Sequence, residues 1–153
     1  MATAGGPAGS VDAGIQRFLN IFAEFRPASV AAAAREAYAA DAYFNDGFAE
    51  LDGAEAIAAY FERTAEATAN IEVEIEDRAV SGGEIYLRWV MRFSTRGARA
   101  RTIVAPGMTH LRLDADGRIV YHRDYWDASG ALAEFVPLMG SILRSVRSRL
   151  EAE

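Results

Sequence analysis

The sequence predicts an α+β domain: helices first, then a meandering antiparallel sheet of about four main strands, with the helices segregated on one sheet face. Three observations carry this prediction. Apolar residues recur at helical spacing as far as Thr64. Ile71, Val73 and Ile75 then alternate with Glu72, Glu74 and Glu76. Asp114-Ala-Asp-Gly117 finally reads as a tight turn between two apolar runs.

Met1 to Ser10 is small, Gly-rich and uncharged, and is expected to form a flexible tail before a single domain over residues 11–153. It has neither the basic nor the apolar region of a signal peptide. Ser10 reads as the N-cap of an amphipathic helix carrying Val11, Ile15, Phe18, Leu19 and Phe22, which stops near Arg26-Pro27. Ser29 is expected to cap a second, Ala-rich helix through Tyr38. The segment Asp41-Ala-Tyr-Phe-Asn-Asp-Gly47 suits a short strand running into a loop, and Ile57, Tyr60, Phe61 and Thr64 mark a third helix after Asp52-Gly53.

Ser81-Gly-Gly83 turns the first long strand back. The next strand places Ile85, Leu87, Trp89, Met91 and Phe93 on one apolar face that must look inward, opposite Tyr86, Arg88, Val90 and Arg92. A third strand from about Ile103 to Leu113 contains Pro106-Gly107, expected to mark a bulge or edge interruption. A fourth runs from Arg118 to Asp127, with Val120, His122, Asp124 and Trp126 on one face and Ile119, Tyr121, Arg123 and Tyr125 on the other. From Gly130 a C-terminal helical segment is expected, broken or restarted at Pro137.

At 153 residues and 51% hydrophobic the chain can bury a core as one domain. A net charge of -6 argues against a nucleic-acid surface, and Arg144, Arg147 and Arg149 read as cations complementing a helix C-terminus. The absence of cysteine excludes disulfides, thiolate metal sites and Cys nucleophiles, and is compatible with a reducing cytoplasm. No apolar run reaches the ~20 residues that span a bilayer, so no membrane role is expected. Two isolated histidines form no zinc-spaced motif and no Gly-rich phosphate loop follows a strand, so neither a metal nor any other cofactor is expected.

Asp124 is the principal candidate for chemistry, because a carboxylate among large apolar neighbours must be satisfied or functional. Its desolvation would favour general acid/base work; the plain alternative is a structural hydrogen bond or an ion pair with an Arg. Asp46, ahead of Gly47, is either a turn former or a second acid. His122 shares the Asp124 face and is either a proton shuttle or a satisfied pocket-wall residue. His110 should face the other side of the sheet. Phe18, Phe44, Phe61, Trp89, Met91, Phe93 and Trp126 are core residues in the plain reading, and pocket-lining is the further claim.

Ala40-Asp-Ala-Tyr-Phe44, Leu51-Asp-Gly-Ala-Glu-Ala-Ile57, Leu87-Arg-Trp89 and Gly117-Arg-Ile-Val-Tyr-His-Arg-Asp-Tyr-Trp-Asp127, in this order of elements, resemble the nuclear transport factor 2-like superfamily over roughly Val11 to Leu150. That superfamily includes ketosteroid isomerases, SnoaL-like polyketide cyclases, limonene epoxide hydrolases, scytalone dehydratase and non-catalytic binding or dimerisation domains. The resemblance implies a cone-shaped curved sheet whose concave face the three N-terminal helices cover, leaving a deep apolar pocket.

On the ketosteroid isomerase pattern Asp46 matches the base, while the two oxyanion donors fall on Phe18, which donates nothing, and Thr109, a neutral hydroxyl. On the limonene epoxide hydrolase pattern Arg123-Asp124-Tyr-Trp-Asp127 resembles the acid-bearing segment. Trp89 and Met91, however, stand where that family has an Arg and the water-activating Asp, and Asp46 where it has a water-positioning Asn.

A SnoaL-like cyclase, needing mainly one acid/base carboxylate in an apolar cavity, conflicts least with these residues. The resemblance therefore implies a cofactor-free isomerase, cyclase or hydrolase. It would act on a hydrophobic, oxygen-bearing small molecule through Asp46, Asp124 and His122, in a pocket lined by Phe18, Phe44, Phe61, Trp89, Met91, Thr109 and Trp126. The alternative is a non-catalytic binding or dimerisation module. A homodimer is expected through the outer sheet face, with Tyr86, Arg88, Arg92, Tyr121 and Tyr125.

Overall fold

The computed structural model describes residues 8–97 and 100–128. In chain order these form α1 (Ala8–Ala23), α2 (Pro27–Ala37), β1 (Tyr38–Asn45), β2 (Glu50–Asp52), α3 (Ala54–Ala67), β3 (Thr68–Ser81), β4 (Glu84–Thr95), β5 (Thr102–Leu113) and β6 (Ile119–Trp126). The strands make one curved, unclosed sheet in the order β2-β1-β6-β5-β4-β3. The expected C-terminal helical segment, with Pro137 and the Arg144, Arg147 and Arg149 cluster, lies outside the described residues.

The sheet departs from the expected four-stranded antiparallel meander in two ways. It has six strands, and β1 runs parallel to β6 while every other pair is antiparallel. The chain leaves Ala37, the last residue of α2, directly into β1, so Tyr38 opens a strand rather than closing a helix. The loop after β1 returns as the three-residue β2, pairing Phe44 with Leu51 and Asn45 with Glu50.

Helix starts also differ from the sequence reading. Ser10 lies inside α1, which begins at Ala8. Pro27, not a Ser29 cap, starts α2: its missing N–H costs nothing at a first helical position, and it holds Arg26 in extended conformation. Ile15, Phe18 and Ile21 of α1, the small residues Val30, Ala31 and Ala34 of α2, and Ile57, Ala58 and Phe61 of α3 are buried. They pack in one cluster with Ile85, Leu87, Trp89, Leu111 and Ile119 of the sheet, so the helices cover the inner face.

The Asp114–Gly117 turn forms by the chemistry its residues prescribe. Asp114 Oδ1 accepts from the backbone N–H of Asp116 at 2.9 Å and of Arg118 at 2.8 Å, and Gly117 takes φ 73°. Arg17 of α1 reaches over to the Asp116 and Gly117 carbonyls at 2.8 and 2.9 Å, which ties the first helix to this turn.

Just beyond the turn the register shifts: Leu113 pairs with Ile119, but Arg112 pairs with Tyr121. The extra residue reverses the first positions of β6, so Ile119, expected on the outer face, is fully buried, whereas Val120, expected inside, is only half-buried. From Tyr121 onward the expected alternation holds and His122, Asp124 and Trp126 face the helices.

Pro106-Gly107 does not interrupt pairing, because β4 and β5 stay in register from Glu84↔Arg112 to Ser94↔Thr102. Pro106 lies one residue past the last β5–β6 pair, Gly107↔Trp126, where a missing N–H breaks no ladder. Gly107 answers a different need. A Cβ there would lie 2.3 Å from the Trp89 ring, so only glycine lets that indole lie flat across β5.

Candidate functional site

β6 delivers Asp124 to the inner face between two hydrogen-bond donors. Thr109, directly opposite it on β5, donates its hydroxyl to Asp124 Oδ1 at 2.5 Å, and His122 Nε2 lies 2.8 Å from the same oxygen. Each partner is fixed from behind. The Trp89 indole N–H donates to Thr109 Oγ1 at 2.7 Å, and the Tyr38 hydroxyl meets His122 Nδ1 at 2.5 Å.

Burial first, and then the charges of Asp124 and Asp46, push the Tyr38 phenol well above its ordinary range and keep it protonated. In the tautomer that accepts the phenol proton at Nδ1, the ring N–H lies on Nε2 and donates to Asp124. Thr109 and His122 are both 1% exposed, so the chain Trp89–Thr109–Asp124–His122–Tyr38 is an internal network with its donors matched to acceptors. Among the described residues nothing hydrogen-bonds Asp124 Oδ2.

Asp46 sits in the loop after β1 and is also fixed. Its Oδ1 accepts from the backbone N–H groups of Phe48 and Ala49, each at 2.9 Å, the turn-forming use expected of Asp ahead of Gly47. Its Oδ2 accepts the Tyr60 hydroxyl from α3 at 2.6 Å, and its carbonyl accepts the Trp126 indole N–H at 2.7 Å. Burial, then the hydrogen bond to Asp46, raises the Tyr60 phenol above its ordinary range. No Arg pairs with either acid among the described residues.

Between helices and sheet lies a cavity of about 230 Å³ onto which both acids open. Ten of its nineteen described lining residues carry Phe, Tyr or Trp rings. All ten residues nominated from the sequence border it: Asp46, Asp124, His122, Phe18, Phe44, Phe61, Trp89, Met91, Thr109 and Trp126.

Their roles in the geometry differ. Asp124 keeps one oxygen without a hydrogen-bond partner among the described residues, both oxygens of Asp46 are engaged, and both nitrogens of His122 are committed to Tyr38 and Asp124. The remaining hydroxyls on the wall are also spent on protein, Thr64 on the Tyr60 carbonyl and Thr68 on the Thr64 carbonyl, each at 2.9 Å. Among the described residues no three His, Asp or Glu side chains gather as metal ligands.

Two residues that shape the site escaped the sequence reading. Tyr60 looks like a core position of α3, and Tyr38 like the end of a helix. The one available signal was the phenol itself, since a buried Tyr must find a partner for its hydroxyl.

On the outer face His110 lies between Tyr86, stacked at 4.8 Å, and Tyr121 at 5.0 Å, and pairs with Glu84. Val104 is 59% exposed, and Met108 and Tyr125, paired across β5 and β6, are exposed further along the same face. No helix among the described residues is long and apolar enough to cross a membrane.

A SnoaL-like domain model matches residues 15–122. No match was found among curated protein sequences. Among solved structures, a protein with a ketosteroid isomerase-like fold from Catenulispora acidiphila, in complex with trimethylamine, is 23% identical with TM-score 0.67, covering 78% of this chain and 89% of that one. A protein from Jannaschia sp. CCS1 assigned to the SnoaL-like polyketide cyclases is 16% identical with TM-score 0.68, covering 85% and 96%. An epoxide hydrolase from M. tuberculosis similar to limonene epoxide hydrolase is 21% identical with TM-score 0.60, covering 84% and 97%. At these identities the structural likenesses establish the fold, and the domain match establishes the family. The chain belongs to the SnoaL-like domain family, within the nuclear transport factor 2-like superfamily.

Proposed function

We propose that this protein is a cofactor-independent enzyme that moves a proton on a hydrophobic, oxygen-bearing small molecule. Asp124 is its acid/base group and Asp46 the second acid of the site. The observation that carries this reading is the division of labour within one carboxylate: Oδ1 of Asp124 is held by Thr109 and His122, while Oδ2 has no hydrogen-bond partner among the described residues and Asp124 lines an aromatic cavity. Such a group is oriented before substrate arrives, and a water-poor wall strengthens its interaction with a transferable proton.

In this scheme Oδ2 takes a proton from one atom of the substrate, or in hydration from the attacking water, and returns it to another atom of the substrate, the step shared by isomerisation, cyclisation and hydration. His122 and Tyr38 act through Asp124 as positioning residues. Asp46, held by two amides and Tyr60, contributes a fixed charge at the other side of the cavity. The outer sheet face, with its aromatic row and exposed Val104 and Met108, is the surface we assign to pairing with a second copy.

Deuterium exchange tests the proposal. In D₂O the protein should accelerate exchange at the α-carbon of 2-tetralone, an apolar ketone, by roughly a hundredfold over Asp124→Asn. The variant should still melt near the wild-type temperature. Equal exchange by the two proteins would overturn the acid/base role.

A second reading, a non-catalytic binding module, is favoured by one observation: every side-chain donor on the described wall is already used within the protein, leaving none for an oxyanion. The Catenulispora relative, in complex with trimethylamine, is in line with binding of a small amine by such a protein. In that case ligand would bind and no proton would exchange.

A further inference from the structure

The balance of donors, acceptors and charge around the cavity selects among ligand classes. It does so on the reading, proposed above, that the cavity is a small-molecule site. Its described wall carries two carboxyl groups and neither Lys nor Arg. A carboxylate or phosphate ligand would meet like charge with no cation to pair with, which is unfavourable at low dielectric. A neutral ketone or ether would be held by apolar contact alone, since among the described residues no side-chain donor on the wall is free: the Tyr60 hydroxyl and the Trp126 indole N–H go to Asp46, and the Trp89 indole N–H goes to Thr109, which donates to Asp124.

What remains for a ligand on the described wall is negative or electron-rich: Oδ2 of Asp124, the charge of Asp46, and the rings. Rings gather around Trp126 and Tyr60, the two side chains that hydrogen-bond Asp46. Phe48 and Phe93 each stand at 82° to Trp126, with centroids 5.2 and 6.4 Å away, and Phe44 and Tyr60 lie 5.7 Å apart. Ring faces carry the negative part of the aromatic quadrupole and attract a cation within about 6 Å, more strongly when water is excluded.

We infer that the cavity takes an apolar organic cation, an alkylammonium group held against aromatic faces between Asp46 and Asp124. The cavity volume of about 230 Å³ equals roughly eight waters at ~30 Å³ each, which suits an alkylammonium headgroup with a short apolar tail. A substrate of this class also supplies its own positive charge. That answers the missing oxyanion donors, since negative charge developing beside the nitrogen is offset within the substrate.

The test compares choline with 3,3-dimethylbutan-1-ol, molecules of one shape in which a quaternary nitrogen replaces a quaternary carbon. Affinities are read on the full chain by calorimetry and by fluorescence of Trp89 and Trp126. Choline should bind about tenfold more tightly than the alcohol. Asp46→Asn removes the charge but keeps an Oδ1 acceptor for the Phe48 and Ala49 amides. It should weaken choline about tenfold and leave the alcohol unchanged. Equal or tighter binding of the alcohol, or no binding of choline, would overturn the inference.

These outcomes are separable from those of the exchange assay. Choline binding without exchange removes the acid/base role alone, and exchange with no preference for the cation removes the ligand class alone.

Discussion

Thr109→Val isolates the hydroxyl at the centre of the internal network. The two side chains have nearly one shape, and position 109 is 1% exposed, so in an ordinary apolar core valine would be the better residue by roughly 0.8 kcal/mol for its added apolar group. Here the hydroxyl accepts the Trp89 indole N–H at 2.7 Å and donates to Asp124 at 2.5 Å. Its removal orphans a buried N–H, at about 1–3 kcal/mol, and takes a donor from a carboxyl oxygen, worth about 1.5–3 kcal/mol if that group is charged. The two losses share one atom and are not independent, so the net destabilisation is about 2–4 kcal/mol.

For a chain of this size that lowers Tm by roughly 5–15 °C. Thr109→Ser keeps the hydroxyl and drops a methyl, costing about 1 kcal/mol. Thermal and urea unfolding of both variants should therefore rank wild type above Ser and Ser above Val. Val melting at or above Ser would refute the claim that this hydroxyl is held between Trp89 and Asp124.

The raised phenols of Tyr38 and Tyr60 give an alkaline instability. Folding favours their protonated forms, so the stabilisation is complete below the ordinary tyrosine value of 10.0 and is lost as pH rises beyond it towards the folded-state values. Urea-unfolding free energies measured on both sides of that value should fall with pH in the wild type and flatten in the Tyr38→Phe/Tyr60→Phe double variant. An unchanged slope would mean that the phenols are not held as described. The proposed pairing through the outer sheet face predicts a dimer in sedimentation equilibrium. Met108→Glu, at a side chain 36% exposed, should shift it to monomer, and wild type sedimenting at the mass of one chain would remove the proposal.

Much of the sheet was legible because strand geometry is a two-residue repeat. Once Trp89 is assigned inward on β4, Leu87 and Met91 follow, and once Asp124 is inward on β6, so do His122 and Trp126. The Asp114–Gly117 turn was legible for a similar reason, since Asp and Gly encode its geometry within four residues. What failed was what depends on distant chain. The parallel pairing of Tyr38 with Ile119 joins residues remote in sequence. The bulge that turns Ile119 inward answers to Leu113 on the neighbouring strand, not to the alternation of β6 itself.

By itself the sequence determined the α+β class and the inward strand faces after the bulge, which follow from short-range periodicity and turn chemistry, and with the family resemblance it named both acids and part of the rings that border the cavity. Only the tertiary structure decided how those groups are used. Trp89, Thr109, Asp124, His122 and Tyr38 come from β4, β5, β6 and β1, and Tyr60 comes from α3 to Asp46. Hydrogen-bond partners are chosen by proximity in space. Which acid keeps an oxygen without a partner, and whether any donor on the described wall remains for a ligand, was therefore settled by how those elements pack.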